Sequence, residues 1–164
     1  MHSIFLALQS LRTQLAQALP AIPGLRHFDV SFPLNDAFDP LAWLGVQRCY
    51  PQFYWQQRSG DEELAALGSL AHFDSLASAS RFLHTHDVAN DTRICGLNAF
   101  NPAQGKLFLP RLLWRRSGGV ATLRLQLWSE TSLREDAREA LNFVDNLRDA
   151  APIRPLSVQI VQET

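Results

Sequence analysis

His84, His86 and Asp87, with Asp91 close behind, form the densest local set of metal-capable side chains in the chain. Imidazole nitrogens and a carboxylate suit zinc or another borderline metal. The spacing of the two histidines argues against a site. On a strand, residues two apart share a face; on a helix they diverge. The apolar periodicity leading up to His84 is helical, so both imidazoles fall at a helix end, where they also interact well with the terminal carbonyls. A solvated helix end is the expected reading, and a small metal-dependent enzyme built on His84, His86 and Asp87 is kept as the weaker alternative.

Arg111, Arg115, Arg116 and Arg124 gather around one predicted hairpin. Guanidinium forks suit carboxylates and phosphates. With Arg111 and Arg115 on one face of a strand and Arg116 on the other, they do not converge, and the polar side of a hairpin is expected. Ser117, Gly118 and Gly119 lack the strand-to-helix elbow of a nucleophilic serine, and the glycines lack the Lys-Ser/Thr of a phosphate loop. Cys49 and Cys95 have no histidine beside them in sequence and no CxxC spacing, so they read as buried thiols of a reducing compartment. Asp61, Glu62 and Glu63 offer paired carboxylates but read as solvated charge in a turn. Phe53, Tyr54 and Trp55 could stack on bases. Fifteen basic residues against sixteen acidic ones leave a net charge of −1, so no field steers nucleic acid or an anionic membrane to the chain, and a core strand is expected there.

At 164 residues, 46% of them hydrophobic, the chain can bury a substantial core and reads as one domain. The apolar run from Ile4 to Leu8 is broken by Gln9 and Arg12, too short for a membrane span and unlike a signal segment. Asn90, Asp91 and Thr92 match a glycosylation sequon that is idle without secretion. A cytoplasmic location is expected, with neither nucleic acid nor membrane as a partner.

The elements that must position these residues follow from periodicity and punctuation. Ile4, Leu8, Leu11, Leu15 and Leu19 line one face of a helix over 3–19, stopped by Pro20. Residues 26–32 alternate, with Phe28, Val30 and Phe32 on one side. Asp39 and Pro40 start a short helix to Arg48. Strands are predicted at 53–58 and 64–71 around a turn at Gly60 and Asp61, with Gly68 either weakening the second strand or marking a close backbone approach. Asp74 and Ser75 cap a helix with Leu76, Ala79, Phe82 and Leu83 on one face. A strand at 93–100 leads to a turn at 101–105. Strands at 106–116 and 120–129 make a hairpin around Ser117, Gly118 and Gly119, with Pro110 at a bulge or edge. Ser132 to Glu135 is a capping box for a helix to about Asp149, and 157–161 is a last strand. Helices among mainly hairpin-connected strands argue α+β.

Several segments carry a resemblance. Residues 33–38 (Pro-Leu-Asn-Asp-Ala-Phe), 50–58 (Tyr-Pro-Gln-Phe-Tyr-Trp-Gln-Gln-Arg) with Gly60 to Glu63, 96–100 (Gly-Leu-Asn-Ala-Phe) and 109–112 (Leu-Pro-Arg-Leu) resemble the N-terminal part of the menaquinone-specific isochorismate synthases, within the chorismate-utilising enzymes. The Leu-Leu-Glu-Ser feedback motif of the anthranilate synthase branch is missing. The resemblance covers nearly all of 1–164 and implies the N-terminal portion of a layered α/β/β/α fold with mainly antiparallel sheet and flanking helices.

The resemblance also implies a division of chemistry. In the family a lysine-activated water attacks chorismate, a glutamate acts as general acid, and two further glutamates hold magnesium on the substrate carboxylate. Those residues belong to a C-terminal chorismate-binding region. Lys106, the only lysine, sits in the 106–116 strand, not in the catalytic motif. No catalytic, cofactor-binding or metal residue is therefore carried over. The chain is expected to be a single N-terminal structural region, inactive alone, with chorismate and magnesium reaching only the full-length enzyme. The alternative is a non-catalytic interaction module that docks a separate catalytic chain.

Overall fold

The computed structural model describes residues 3–33, 38–98 and 105–149. Six strands form one antiparallel sheet, and helices α1 (Ser3–Leu15), α2 (Pro40–Val46) and α4 (Leu133–Asp145) contribute to the main core on one of its faces. The strands are β1 (Gly24–Pro33), β2 (Gln52–Gln56), β3 (Glu62–Phe73), β4 (Cys95–Asn98), β5 (Gly105–Ser117) and β6 (Val120–Ser129). Their order is β1-β6-β5-β3-β2, with β4 pairing the first residues of β5. A third helix on this list in chain order, α3 (Leu76–His86), joins β3 to β4. The α+β architecture follows the hairpin connections, because strands joined by tight turns pair antiparallel.

The main core is built from two periodicities meeting. In β6, Ala121, Leu123, Leu125 and Leu127 are buried, and in β5 Leu112 and Trp114 join them. Onto that surface α1 lays Ile4, Leu8, Leu11 and Leu15, and α4 lays Leu133, Ala137, Ala140 and Val144. Each fully buried leucine contributes about 1.5–3 kcal/mol relative to exposure. Phe28, Val30 and Phe32 of β1 pack at its margin. An ion pair between Arg12 Nε and Asp145 Oδ1, 2.8 Å, links α1 to the end of α4.

The caps are where the sequence placed them. Asp39 accepts from the backbone N–H of Leu41 and Ala42 at 2.9 and 3.2 Å, with Pro40 opening α2. Ser75 Oγ accepts from Ser78 N, and Ser132 Oγ from Glu135 N. Gly118 and Gly119 form the two-residue turn of the β5–β6 hairpin, with Gly118 at φ +61°.

Other elements differ from expectation. The first helix ends at Leu15, yet Leu19 is still buried, so the apolar spacing persists beyond the last helical turn. The last helix ends at Asp145 instead of near Asp149. The aromatic strand is not a core strand. Among the described residues β2 ends the sheet and pairs with β3 alone, with Phe53 and Tyr54 half-buried and Trp55 39% exposed. Three consecutive aromatics cannot all face one core, since neighbours on a strand point to opposite sides. Residues 34–37 of the resemblance segment, 99–100 of the strand predicted at 93–100, 101–104 of the predicted turn and the strand predicted at 157–161 lie outside the described residues.

Gly68 is a close approach, as its place inside a strand suggested. It has φ +68°, and a Cβ there would lie 2.9 Å from Phe143 Cε2 and 3.3 Å from Arg111 Cβ. Just beyond it the β3–β5 register shifts between Ser69 and Ala71, opposite Pro110. Gly68→Ala is expected to destabilise the fold by about 1–3 kcal/mol through backbone strain and overpacking. A urea midpoint equal to the parent's would show that Phe143 moves aside without penalty.

Candidate functional site

The two faces of the sheet differ. One carries the main core and its helices. On the other, Leu64, Ala66, Cys95, Phe108 and Leu113 make a small buried cluster with Phe53 against it. Beside this cluster an apolar groove of about 1060 Å³ opens among β2, the end of β3, the start of α3, β4 and the start of β5. Phe53, Phe73, Leu97, Leu107 and Phe108 line it, with Lys106 at the same site. Leu97 is 75% exposed and Lys106 is exposed. Such a surface can hold an apolar partner; exposed apolar patches of this kind mark binding surfaces.

A second, polar cavity of about 590 Å³ lies where residues 48–50 meet Gly68, Ser69 and α4. Arg48, Glu139, Asn142 and Asn146 are among its polar lining, over Phe143. Arg111 also reaches it, but its charge is already matched. Its Nη1 and Nη2 bind Asp136 Oδ2 and Oδ1 at 2.7 and 2.8 Å, and Nη1 also donates to the Gln126 carbonyl at 3.1 Å. Asp136 in turn accepts from Trp128 N at 2.9 Å. Both partners of this pair are about nine-tenths buried.

The other sequence candidates are likewise engaged. His84 is exposed on the last turn of α3, while the His86 ring packs 4.8 Å from Phe82 and 4.4 Å from Trp128. Both oxygens of Asp87 accept from Thr92, and Asp91 pairs with Arg124. The helical divergence of the two imidazoles is what the structure displays. Among the described residues no group of three or more His, Cys, Asp or Glu is placed to hold a metal.

Arg115 binds Glu62, Arg116 binds Glu63, and Arg124 binds Asp29 and Asp91. The acidic segment is therefore not simply a solvated turn. Glu62 and Glu63 open β3, and Glu63 is buried between Arg116 and the Tyr54 hydroxyl, which donates to it. Arg111 also departs from the polar-face reading, since it is 7% exposed. The signal was available: Arg111 is flanked by Leu109, Pro110, Leu112 and Leu113, a run that leaves an arginine no water to face. Gln47 and Gln126, both buried, were missed as well. The Gln126 side chain donates to the Pro110 carbonyl at 2.7 Å, and that of Gln47 donates to Trp43 and Arg148 carbonyls.

Cys49 and Cys95 are free thiols. Burial pushes Cys49 up and Cys95 up to about 12, so neither is a ready nucleophile. Burial, followed by the Glu63 hydrogen bond, pushes the Tyr54 phenol up to about 12. A raised value means the folded state holds this proton more tightly than the unfolded chain. The stability it confers is complete below pH 10 and is lost as pH rises toward about 12. Alkaline absorbance titration of the folded chain is expected to show a phenolate step near 12 that Tyr54→Phe removes. Its absence would contradict the Tyr54–Glu63 hydrogen bond.

With this geometry in hand, the chain was compared with known proteins. No family model matches it. It is 53% identical over 163 residues to the isochorismate synthase MenF of Escherichia coli, covering 99% of this chain and 38% of that protein. It is 33% identical over 122 residues to the isochorismate synthase MenF of Pasteurella multocida, covering 72% of this chain and 27% of that one. The solved structure of MenF, the menaquinone-specific isochorismate synthase from Escherichia coli, superposes with a TM-score of 0.90 at 52% identity, over 98% of this chain and 38% of that one. The chain thus spans well under half the length of the relatives it matches.

Proposed function

Over 99% of its length the chain belongs with the isochorismate synthases, as the counterpart of an N-terminal part of them, and from that premise we propose that it is the structural N-terminal region of such an enzyme, supplying a sheet but not the catalytic groups. The reaction of the whole enzyme is then conversion of chorismate to isochorismate for menaquinone synthesis, carried out in the cytoplasm. Two free cysteines suit a reducing compartment. Among the described residues no helix is long and apolar enough to cross a membrane.

The single observation that carries this reading is the asymmetry of coverage: nearly all of this chain is matched, against 38% of its relative. The commitment of its ionisable groups supports it. Glu62, Glu63, Asp29, Asp91 and Asp136 each pair with an arginine. Those carboxylates are not free to receive a proton from a substrate or to ligate a cation. The magnesium of the family is accordingly placed, in this proposal, with the remaining length of a whole enzyme.

The open groove favours a second reading, in which the chain docks a separate polypeptide carrying the catalytic groups. The occupant is then the remaining length of an isochorismate synthase, whose apolar surface would cover Phe53, Leu97 and Phe108. One assay addresses both readings. The purified chain with chorismate and magnesium is expected to form no isochorismate above the uncatalysed background, and turnover would overturn the structural role. Mixed with a polypeptide carrying the remaining length of the Escherichia coli relative, restored turnover supports docking, and silence leaves the chain a structural part that needs covalent continuity.

A further inference from the structure

Residues 87–94 leave the end of α3 and return to the sheet at β4. None of their side chains is buried, and Val88 is 98% exposed. What holds them is polar. Arg124 on β6 alternates with Leu123 and Leu125 and so faces away from the main core. Its Nε and Nη2 bind Asp29 of β1 at 2.7 and 2.8 Å. From the same guanidinium, Nη2 binds Asp91 Oδ2 at 2.9 Å and Nη1 binds the Asp91 carbonyl at 3.2 Å.

Two further ties complete the fastening. Asp87 accepts from Thr92 N and Oγ1 at 3.0 and 2.8 Å, closing the turn around Asn90, whose φ is +55°. Arg93 Nη2 meets Glu62 Oε1 at 3.0 Å, at the start of β3. The segment thereby bridges from β1 and β6 to β3. Immediately after it, Cys95 is 3% exposed and packs on Leu64, Ala66, Phe108 and Leu113. A cavity of about 300 Å³ lies between residues 93–96 and Phe53, Trp55 and Leu64.

We propose that residues 87–94 are a charge-locked strap, fastened by Arg124, whose release uncovers Cys95 and the apolar patch beneath it. This goes beyond the proposed function and does not rest on it. The locks are surface ion pairs, each worth little alone. Among the described residues β4 pairs through four positions, Cys95–Asn98, to hold the chain once they are undone. The hydrogen bond from Arg124 keeps the Asp91 carboxyl below the usual carboxylate range, so the lock is charged at neutral pH. Salt weakens such a fastening, since at about 1 M ionic strength the screening length falls to about 3 Å. The buried core of the sheet has no such sensitivity.

Cys95 reports on the strap, and Cys49, partly exposed at the main core's margin, is the control thiol away from it. N-ethylmaleimide labelling of the 164-residue chain at neutral pH, followed by peptide mapping, reads both thiols separately. Arg124→Met is expected to label Cys95 about three- to tenfold faster with Cys49 unchanged, and Asp91→Ala to give a smaller rise of the same kind. If Arg124→Met does not fold, Asp91→Ala decides, because it leaves the Arg124–Asp29 pair in place. Unchanged Cys95 labelling in the folded variants, or a parallel rise at Cys49, would overturn the strap.

Discussion

The pair formed by Arg111 and Asp136 ties the fold's two layers together. A bidentate contact about nine-tenths buried joins the middle of β5 to the first turn of α4. The Gln126 carbonyl and Trp128 N take up further hydrogen-bonding capacity. Burying two charges is expensive, and the pair stands only because its donors and acceptors are so fully matched. Removing one partner would strand the other charge, at about 3–5 kcal/mol. The contact also anchors the first turn of α4, which Ser132 caps, against β5. Phe143, on the same helix, then closes over Gly68, so the pair and the glycine fix both the axial and rotational placement of α4.

That placement leaves the sheet covered unevenly. Helices seal one face with leucine and alanine. The other is patched by α3, by residues 87–94 and by the short β4, and it keeps an apolar groove of about 1060 Å³. The chain matches 38% of the length of a longer relative, and the docking reading proposed above would give this groove its occupant.

Much of the fold was legible because it follows local rules. The leucine spacing of α1, the alternation in β1 and β6, the Asp39, Ser75 and Ser132 caps and the Gly118 turn each rest on residues near in sequence. What resisted reading were long-range pairings. Arg111 with Asp136, Arg124 with Asp29 and Arg93 with Glu62 are 25, 95 and 31 residues apart, and no periodicity announces them. The aromatic block at 53–55 misled for a related reason: composition marks a strand, but only the sheet order shows that β2 lies last in the sheet among the described residues. As a family marker it was sound. The groove was invisible, since it depends on which elements fail to cover β5.

The central claim is that the uncovered face, not the helical face, is where the rest of an isochorismate synthase packs. Amide hydrogen exchange of the chain, with and without a polypeptide carrying the remaining length of the Escherichia coli relative, tests this most directly. The account predicts slower exchange in β2, β4 and the first residues of β5, with α1 and α4 unchanged. Protection confined to α1 or α4, or no change under conditions where the two polypeptides co-elute, would contradict it.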